Sequence, residues 1–315
     1  MTDDGREPTG SISLDEVYAG LRPLMFAIAY RMLASASEAE DVVQEAFLRY
    51  HSATAHGTTI ESPKAFLTTV TTRLAIDAIR SARAKRETYI GPWLPEPLLT
   101  PSDDDPFAHA EQQDSLSLAF LVLLQNLSPV ERAVFLLREV FEYGYDDIAA
   151  IVQKSEDNCR QIFTRARKRI QAGQPRFDTN PKEQQELAIK FFAAVGQGDV
   201  TSLVDFLAQE VTFYGDGGGK AHAYPRPIYG RDDVILVLKS LFVAARAFKV
   251  NFQPTRVNGQ PGMLSFDTEG RLINIMVLDI GDGRIQALRS IVNPDKLAHL
   301  GYPLSDLGWM KRKDN

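Results

Sequence analysis

The residues best suited to chemistry lie between Asp146 and Ile170. Asp146-Asp147-Ile148-Ala149-Ala150-Ile151-Val152 is followed by Gln153-Lys154, then Ser155, then a run ending Arg165-Ala166-Arg167-Lys168-Arg169-Ile170. Apolar spacings of three and four on both sides of a short break predict a helix, a tight turn and a second helix capped by Ser155. In a helix-turn-helix the second helix lies in the major groove and its early residues reach base edges. Arg160 and Gln161 are of the types that pair bidentately with guanine and adenine, and Thr164 follows one turn later. Arg165, Arg167, Lys168 and Arg169 suit phosphates, which fix register without reading sequence. The alternative is a helical hairpin with a solvated basic face. The turn, usually glycine in such motifs, is Gln153-Lys154 here; a non-glycine residue at positive φ costs on the order of 1 kcal/mol.

Two further clusters carry chemistry. Asp41 and Glu45, four apart, share one helix face and suit basic residues across an interface, or form a solvated acidic face. Asp216-Gly217-Gly218-Gly219-Lys220 frees backbone amides and allows positive φ, so this loop can approach another surface closely. Docking onto the linker is favoured over an anion cradle, because no helix follows the glycines. Acid-base candidates in the same module are Asp216, His222, Asp279 and Arg289, provided that they sit inside a pocket. Asp279, beside Gly281 and Gly283, reads first as part of a hairpin turn.

Helices must position the first two clusters. Leu14 to about Lys85 shows helical spacing, which fits a four-helix unit, with His51 to Ser62 as a loop and Ser62-Pro63 starting a helix over Lys64 to Ser81. Gly91-Pro92-Trp93-Leu94-Pro95-Glu96-Pro97, with Pro101 and Pro106, predicts an extended linker. Helical spacing returns from Leu116 to Ile170, where Ser128-Pro129-Val130-Glu131 supplies a capping box and a first-turn proline. After Gly173, Pro175 and Pro181, helices are expected at Glu183 to Val195, Val200 to Leu207 and Ile235 to Ala247. Strands are expected at Lys249 to Phe252, Gly262 to Phe266, Leu272 to Leu278 and Arg284 to Val292, an α+β order. The expected units are residues 11–90, a linker 91–114, residues 115–173, and residues 183–300.

Bulk properties agree with a multi-domain globular chain: 315 residues, 44% hydrophobic and 24% charged. Cys159 is the single cysteine, so no intrachain disulfide or cysteine-built zinc site forms, and a reducing cytoplasm is expected. Met1 to Gly10 is acidic and polar, unlike a secretory signal, and the apolar stretch Leu116 to Leu124 is far short of the ~20 residues that span a bilayer. No membrane anchor, metal or cofactor is expected. The net charge of -6 hides a local order. Arg73, Arg80, Arg83, Lys85 and Arg86 form one basic stretch, and the second helix of the helix-turn-helix forms another. Between them Asp103, Asp104, Asp105, Glu111 and Asp114 face no Lys or Arg within Thr100 to Asp114.

Residues Ser128 to Ile170 resemble region 4 of sigma factors, which recognises the -35 promoter element. Asp41, Gln44, Glu45 and Phe47 match the Asp-x-x-Gln-Glu-x-Phe pattern of the region 2 helix that docks on core RNA polymerase in that family. Ser62-Pro63-Lys64-Ala65-Phe66-Leu67 through Arg73 to Arg80 resembles the helix bearing the -10 contacts. The resemblance implies that the preceding loop holds a flipped base, with His56, Thr58 and Thr59 supplying hydrogen bonds and Arg73 and Arg80 positive charge. Phe66 is a stacking candidate, or a core residue. Glu183 to about Leu300 resembles the SnoaL/NTF2-like cone. Trp93-Leu94-Pro95-Glu96-Pro97, Asp216 to Lys220 and Asn293-Pro294-Asp295-Lys296 resemble the signatures of SnoaL-extended extracytoplasmic-function sigma factors.

The resemblance implies a transcription initiation factor with all-α regions 2 and 4, an α+β regulatory domain, and core RNA polymerase and promoter DNA as partners. A small-molecule ligand of the cone is a further candidate partner. Two other classes stay open: a helix-turn-helix regulator that senses a ligand without polymerase, and a SnoaL-type cyclase or isomerase. The resemblance also implies that Asp103 to Asp105 thread the polymerase channel by mimicking phosphate charge; solvated linker acids are the alternative. Replacing the three by Asn is expected to weaken polymerase association and to change the yield of abortive transcripts, both read in run-off reactions.

Overall fold

A computed structural model describes residues 14–100, 115–173, 180–198 and 200–309. Asp103 to Asp105, Glu111 and Asp114 fall outside the described residues. Helices α1 (Leu14–Leu33), α2 (Ala36–Ala55) and α3 (Pro63–Glu87) pack on one another. The N-terminal unit is thus three described helices, where four were expected. Ser62 caps α3, accepting from the Ala65 amide at 3.2 Å. The expected loop over His51 to Ser62 is shorter: α2 continues through Ala53 and Ala55, good helix formers, and ends where Gly57 adopts φ 81°.

Helices α4 (Leu118–Leu124), α5 (Pro129–Glu139), α6 (Tyr145–Val152) and α7 (Glu156–Gly173) form the second unit. The capping box at Ser128 and Glu131 is present in both directions. This unit does not stand apart from the first. Leu33, Tyr30 and Ala46 share one buried cluster with Phe120, Leu124, Phe135, Leu136 and Ala166. Arg132, buried on α5, donates to the carbonyl of Met32 at the end of α1.

The third unit begins with α8 (Pro181–Gln197), α9 (Val200–Phe206) and β1 (Leu207–Asp216), and continues with β2 (Ile228–Tyr229) and α10 (Arg231–Ala247). Strands β3 (Asn251–Val257), β4 (Gln260–Phe266), β5 (Leu272–Gly281) and β6 (Arg284–Ile291) complete a six-stranded sheet of order β2-β1-β6-β5-β4-β3. The pair β1–β6 is parallel and the rest are antiparallel. Strand β1 is absent from the sequence expectation, and β3 runs past the expected end at Phe252. Pro254 is tolerated there because β3 is an edge strand.

Strand alternation gives the sheet two apolar faces. Met263, Met276, Leu278 and Leu288 pack with α8 and α10. Leu264, Ile275, Val277 and Ile291 pack with Leu94 of the linker and Leu118 of α4. The sheet therefore covers the linker and the start of the helix-turn-helix unit.

Asn258, buried in the β3–β4 turn at φ 53°, stitches the three units together. Its Nδ2 donates to the Tyr30 hydroxyl at 2.7 Å and the Leu116 carbonyl at 2.9 Å, and its Oδ1 accepts from the Leu98 amide at 2.8 Å. Asn258→Ala strands these buried groups and strains a left-handed residue, at about 1–3 kcal/mol for each stranded group. A drop of several degrees in thermal midpoint is expected, with region 2 and sheet signals affected together.

Candidate nucleic-acid interface and its tether

The helix-turn-helix forms as its spacing predicts. Gln153 occupies the turn with φ 55°, the left-handed geometry that a glycine would take without cost. Ser155 Oγ accepts from the Asn158 amide at 3.3 Å. Cys159, Ile162, Ala166 and Ile170 form the buried stripe of α7. Arg160, Gln161, Thr164, Arg165, Arg167, Lys168 and Arg169 are all exposed. Arg160 lies 4.4 Å over the Tyr145 ring and pairs with Glu156 at 3.3 Å. Arg167 pairs with Glu139 at 3.6 Å and Arg169 with Glu131 at 3.1 Å.

The region 2 candidates divide. His56, Thr58 and Thr59 are exposed in the loop before α3, and the His56 ring Nδ1 lies 2.7 Å from the Ser52 carbonyl. Phe66 is half-buried with its ring 5.9 Å from that of Tyr50. Arg80 pairs with Asp77 at 3.2 Å. Arg73 donates to the carbonyls of Ala150 and Ile151, both at 2.9 Å, near the C-terminal end of α6. Cations are favoured at such a helix end. Thr68 and Tyr143 hydroxyls meet at 2.9 Å beside it. On α2, Asp41 and Gln44 are exposed beside Leu48, which is 63% exposed; Glu45 pairs with Arg49 at 2.7 Å. Phe47 is buried, 4.7 Å from the Tyr18 ring, so it anchors the helix.

The three short motifs converge on one buried knot. Asp216, fully buried at the end of β1, accepts from Tyr89 Oη at 2.5 Å, the Leu94 amide at 2.7 Å and Lys296 Nζ at 2.7 Å. Lys296 also donates to the Leu94 carbonyl and lies 4.3 Å over the Trp93 ring. Asn293 donates to Tyr89 Oη at 2.9 Å, and Lys220 pairs with Asp295 at 2.5 Å. Burial, reinforced by the Asp216 carboxylate, pushes the Tyr89 phenol far above its ordinary value. Gly218 has φ 58°, and a Cβ there would meet Asn293 Nδ2 at 2.2 Å. The glycines thus let the Asp216 loop and the Asn293 turn close on the linker together.

The linker's other side grips region 2. Glu96 accepts from the Ala36 and Ser37 amides at 2.8 and 3.0 Å, at the N-terminus of α2, and from Ser35 Oγ at 2.8 Å. A carboxylate there meets orphan amides and the positive helix end. His299 approaches the Pro97 carbonyl at 2.8 Å, and the Tyr30 hydroxyl donates to the Glu96 carbonyl at 2.6 Å. Trp93, Leu94, Pro95, Glu96 and Pro97 are buried or half-buried. Arg31 of α1 donates to Ser115 Oγ at 3.0 Å, and burial pushes its guanidinium down to about 10. Tyr89, Asn258, Gln260 and His299 belong to this tether without any local sequence signal.

Of the four acid-base candidates only Asp279 and Arg289 meet. Asp216 is committed to the knot. Asp279 pairs with Arg289 at 2.7 Å and accepts from Gln260, whose Oε1 takes the Leu118 amide at 2.8 Å. His222 alone lines the cavity beneath the opposite face of the sheet. No group of three or more His, Cys, Asp or Glu among the described residues is placed to hold a metal ion. No helix among them is long and apolar enough to cross a membrane.

Comparison with known proteins agrees with this geometry. Residues 17–85 match the family Sigma-70 region 2, and residues 117–170 match Sigma-70, region 4. The chain is 36% identical over 301 residues to the ECF RNA polymerase sigma factor SigJ of Mycobacterium tuberculosis, covering 92% of this chain and 94% of the relative. It is 30% identical over 278 residues to the probable ECF RNA polymerase sigma factor SigI of the same species, covering 88% and 92%. The crystal structure of M. tuberculosis SigJ superposes with a TM-score of 0.71 at 33% identity, covering 93% of this chain and all of that one. With two sigma helical units and a C-terminal NTF2-like α+β domain, the chain belongs to the extracytoplasmic-function RNA polymerase sigma factors of the sigma-70 family.

Proposed function

We propose that this sigma factor joins core RNA polymerase in the cytoplasm through the exposed part of α2 around Asp41, Gln44 and Leu48, and reads the -35 element with Arg160, Gln161 and Thr164. In this reading Ser155, Arg165 and Arg167 serve the phosphates around that element. His56, Thr58, Thr59, Arg73 and Arg80 serve the -10 element, with Phe66 as its support. The C-terminal domain restrains the factor. One observation carries this restraint: Asp216, Lys296 and Glu96 hold a single linker against the sheet on one side and α2 on the other.

Geometry gives the restraint a direction. The -35 and -10 elements lie roughly 25 base pairs apart, on the order of 85 Å of duplex at 3.4 Å per pair. Here Arg73 of α3 touches α6 directly, so the two DNA-reading units must part before both elements are engaged. A folded domain that clamps the linker and covers α4 opposes that parting. No catalysis is assigned to the domain, because only His222 of its acid-base candidates reaches the cavity.

Asp216→Asn keeps the side-chain volume while removing the charge that faces Lys296. With purified core enzyme and limiting sigma, run-off transcripts are expected to rise several-fold; unchanged or lower output from a folded variant sinks the restraint. A one-component regulator would instead bind its operator tightly without polymerase. In the polymerase-bound state, Arg160→Ala is expected to cost about 1–3 kcal/mol and relax one -35 position, whereas Arg165→Ala weakens all promoters alike and lowers the salt slope by about 1. Promoter-variant binding at several salt concentrations checks both.

A further inference from the structure

The helix-facing side of the sheet leaves a cavity of about 550 Å³ among β1, β4 to β6, α10 and the segment after Lys220. Small-molecule sites commonly span roughly 300–1,000 Å³. The wall is mostly apolar, with rings and sulfur from Phe213, Phe242, Phe248, Phe252, Met263 and Met276. None of the lining residues is Asp, Glu, Lys or Arg, and His222 sits at the exposed rim. A charged guest would lose its hydration with no counter-ion to replace it.

A polar band crosses this apolar wall. Ser265 of β4 is in register with Asn274 of β5, and Asn274 Nδ2 donates to Ser290 Oγ of β6 at 3.0 Å. Ser265 and Ser290 are only 4% and 5% exposed. Because Ser290 accepts from Asn274, its own O–H can turn to a guest's carbonyl or hydroxyl oxygen.

The same strands carry the knot. Gly215 lines the cavity, and its neighbour Asp216 holds the linker. Ser290 and Val292 line it, while Ile291 packs with Leu94 and Asn293 holds Tyr89. His222 and Ala223 lie one residue beyond the Asp216 to Lys220 loop. We propose that this cavity binds an uncharged, mostly apolar, ring-sized molecule bearing a hydrogen-bond acceptor, and that occupancy alters the hold on the linker. The coupling rests on the restraint proposed above; the binding does not.

The test titrates Nile red, a neutral fluorophore, into the full chain and displaces it with 2-acetylnaphthalene or 2-naphthoate, which share a ring system but differ in charge. Saturable dye binding is expected, displaced by the ketone and not by the anion. Ala245→Trp, placed in a half-buried part of the wall on α10, abolishes it. Ser290→Ala, which removes the hydroxyl that donates to the guest, weakens the ketone about tenfold, the scale of one lost hydrogen bond. Asp216→Asn still binds dye, which separates failure of the site from failure of the restraint. Absence of saturable binding, equal displacement by the anion, or unchanged binding in folded Ala245→Trp overturns the site. Ketone binding that leaves exchange protection of the Leu94 amide unchanged overturns the coupling.

Discussion

The arrangement depends on one buried ion pair. Asp216 is fully buried and the Lys296 side chain is 7% exposed, so each has given up most of its hydration. Such a pair is tolerated only when the remaining lone pairs and protons are satisfied, and removing one partner costs about 3–5 kcal/mol. Here the satisfying groups are not part of the NTF2-like domain. Tyr89 and the Leu94 amide supply two donors to Asp216, and the Leu94 carbonyl takes a proton of Lys296. If the linker left, both charges would face an apolar sheet without those partners. Unseating the linker therefore removes three hydrogen-bond partners from the pair at once.

The seam between the sigma units is built differently. At α3 and α6 it is made by the two Arg73 bonds to carbonyls and the Thr68–Tyr143 pair, groups that water can replace. Deeper in, α1 shares a dry core with α4 and α5, and Arg132 reaches the end of α1. Separating the units therefore exposes apolar area as well as breaking polar contacts, at ~25 cal/mol per Å². Polymerase and DNA must offset that cost. The polar seam between α3 and α6 is thus the weaker contact, and the apolar core carries the larger cost of parting.

Local signals in the sequence were legible where the cause is local. Ser62, Ser128 and Ser155 cap helices at the expected places because a cap needs only three or four residues. The Asp216 to Lys220 loop reads as a docking loop in preference to an anion cradle because no helix follows its three glycines. His51 to Ala55 reads as loop by its Ser and Thr content, yet Thr54 returns its hydroxyl to the His51 carbonyl and the helix continues. Strand β1 escapes because the chain passes from α9 into β1 without a break, Phe206 to Leu207. Tyr89, Asn258 and Gln260 carry the tether through partners more than a hundred residues away, and no window along the chain contains such a pair. Phe47, part of a polymerase-binding pattern, is held in the core: a family pattern mixes residues that touch a partner with residues that position them.

The net charge of -6 is compatible with DNA binding because of how the positive charge is held. Arg160, Arg167 and Arg169 on α7 face Glu156, Glu139 and Glu131, all arginines being more than half exposed at the side chain. Exposed pairs of this kind are worth about 0–1 kcal/mol. A duplex offers closely spaced phosphates and releases counterions when they are neutralised, so pairs this weak do not bar these arginines from phosphate contacts. The buried Asp216–Lys296 pair differs from these surface pairs, because its burial leaves it little screened by salt.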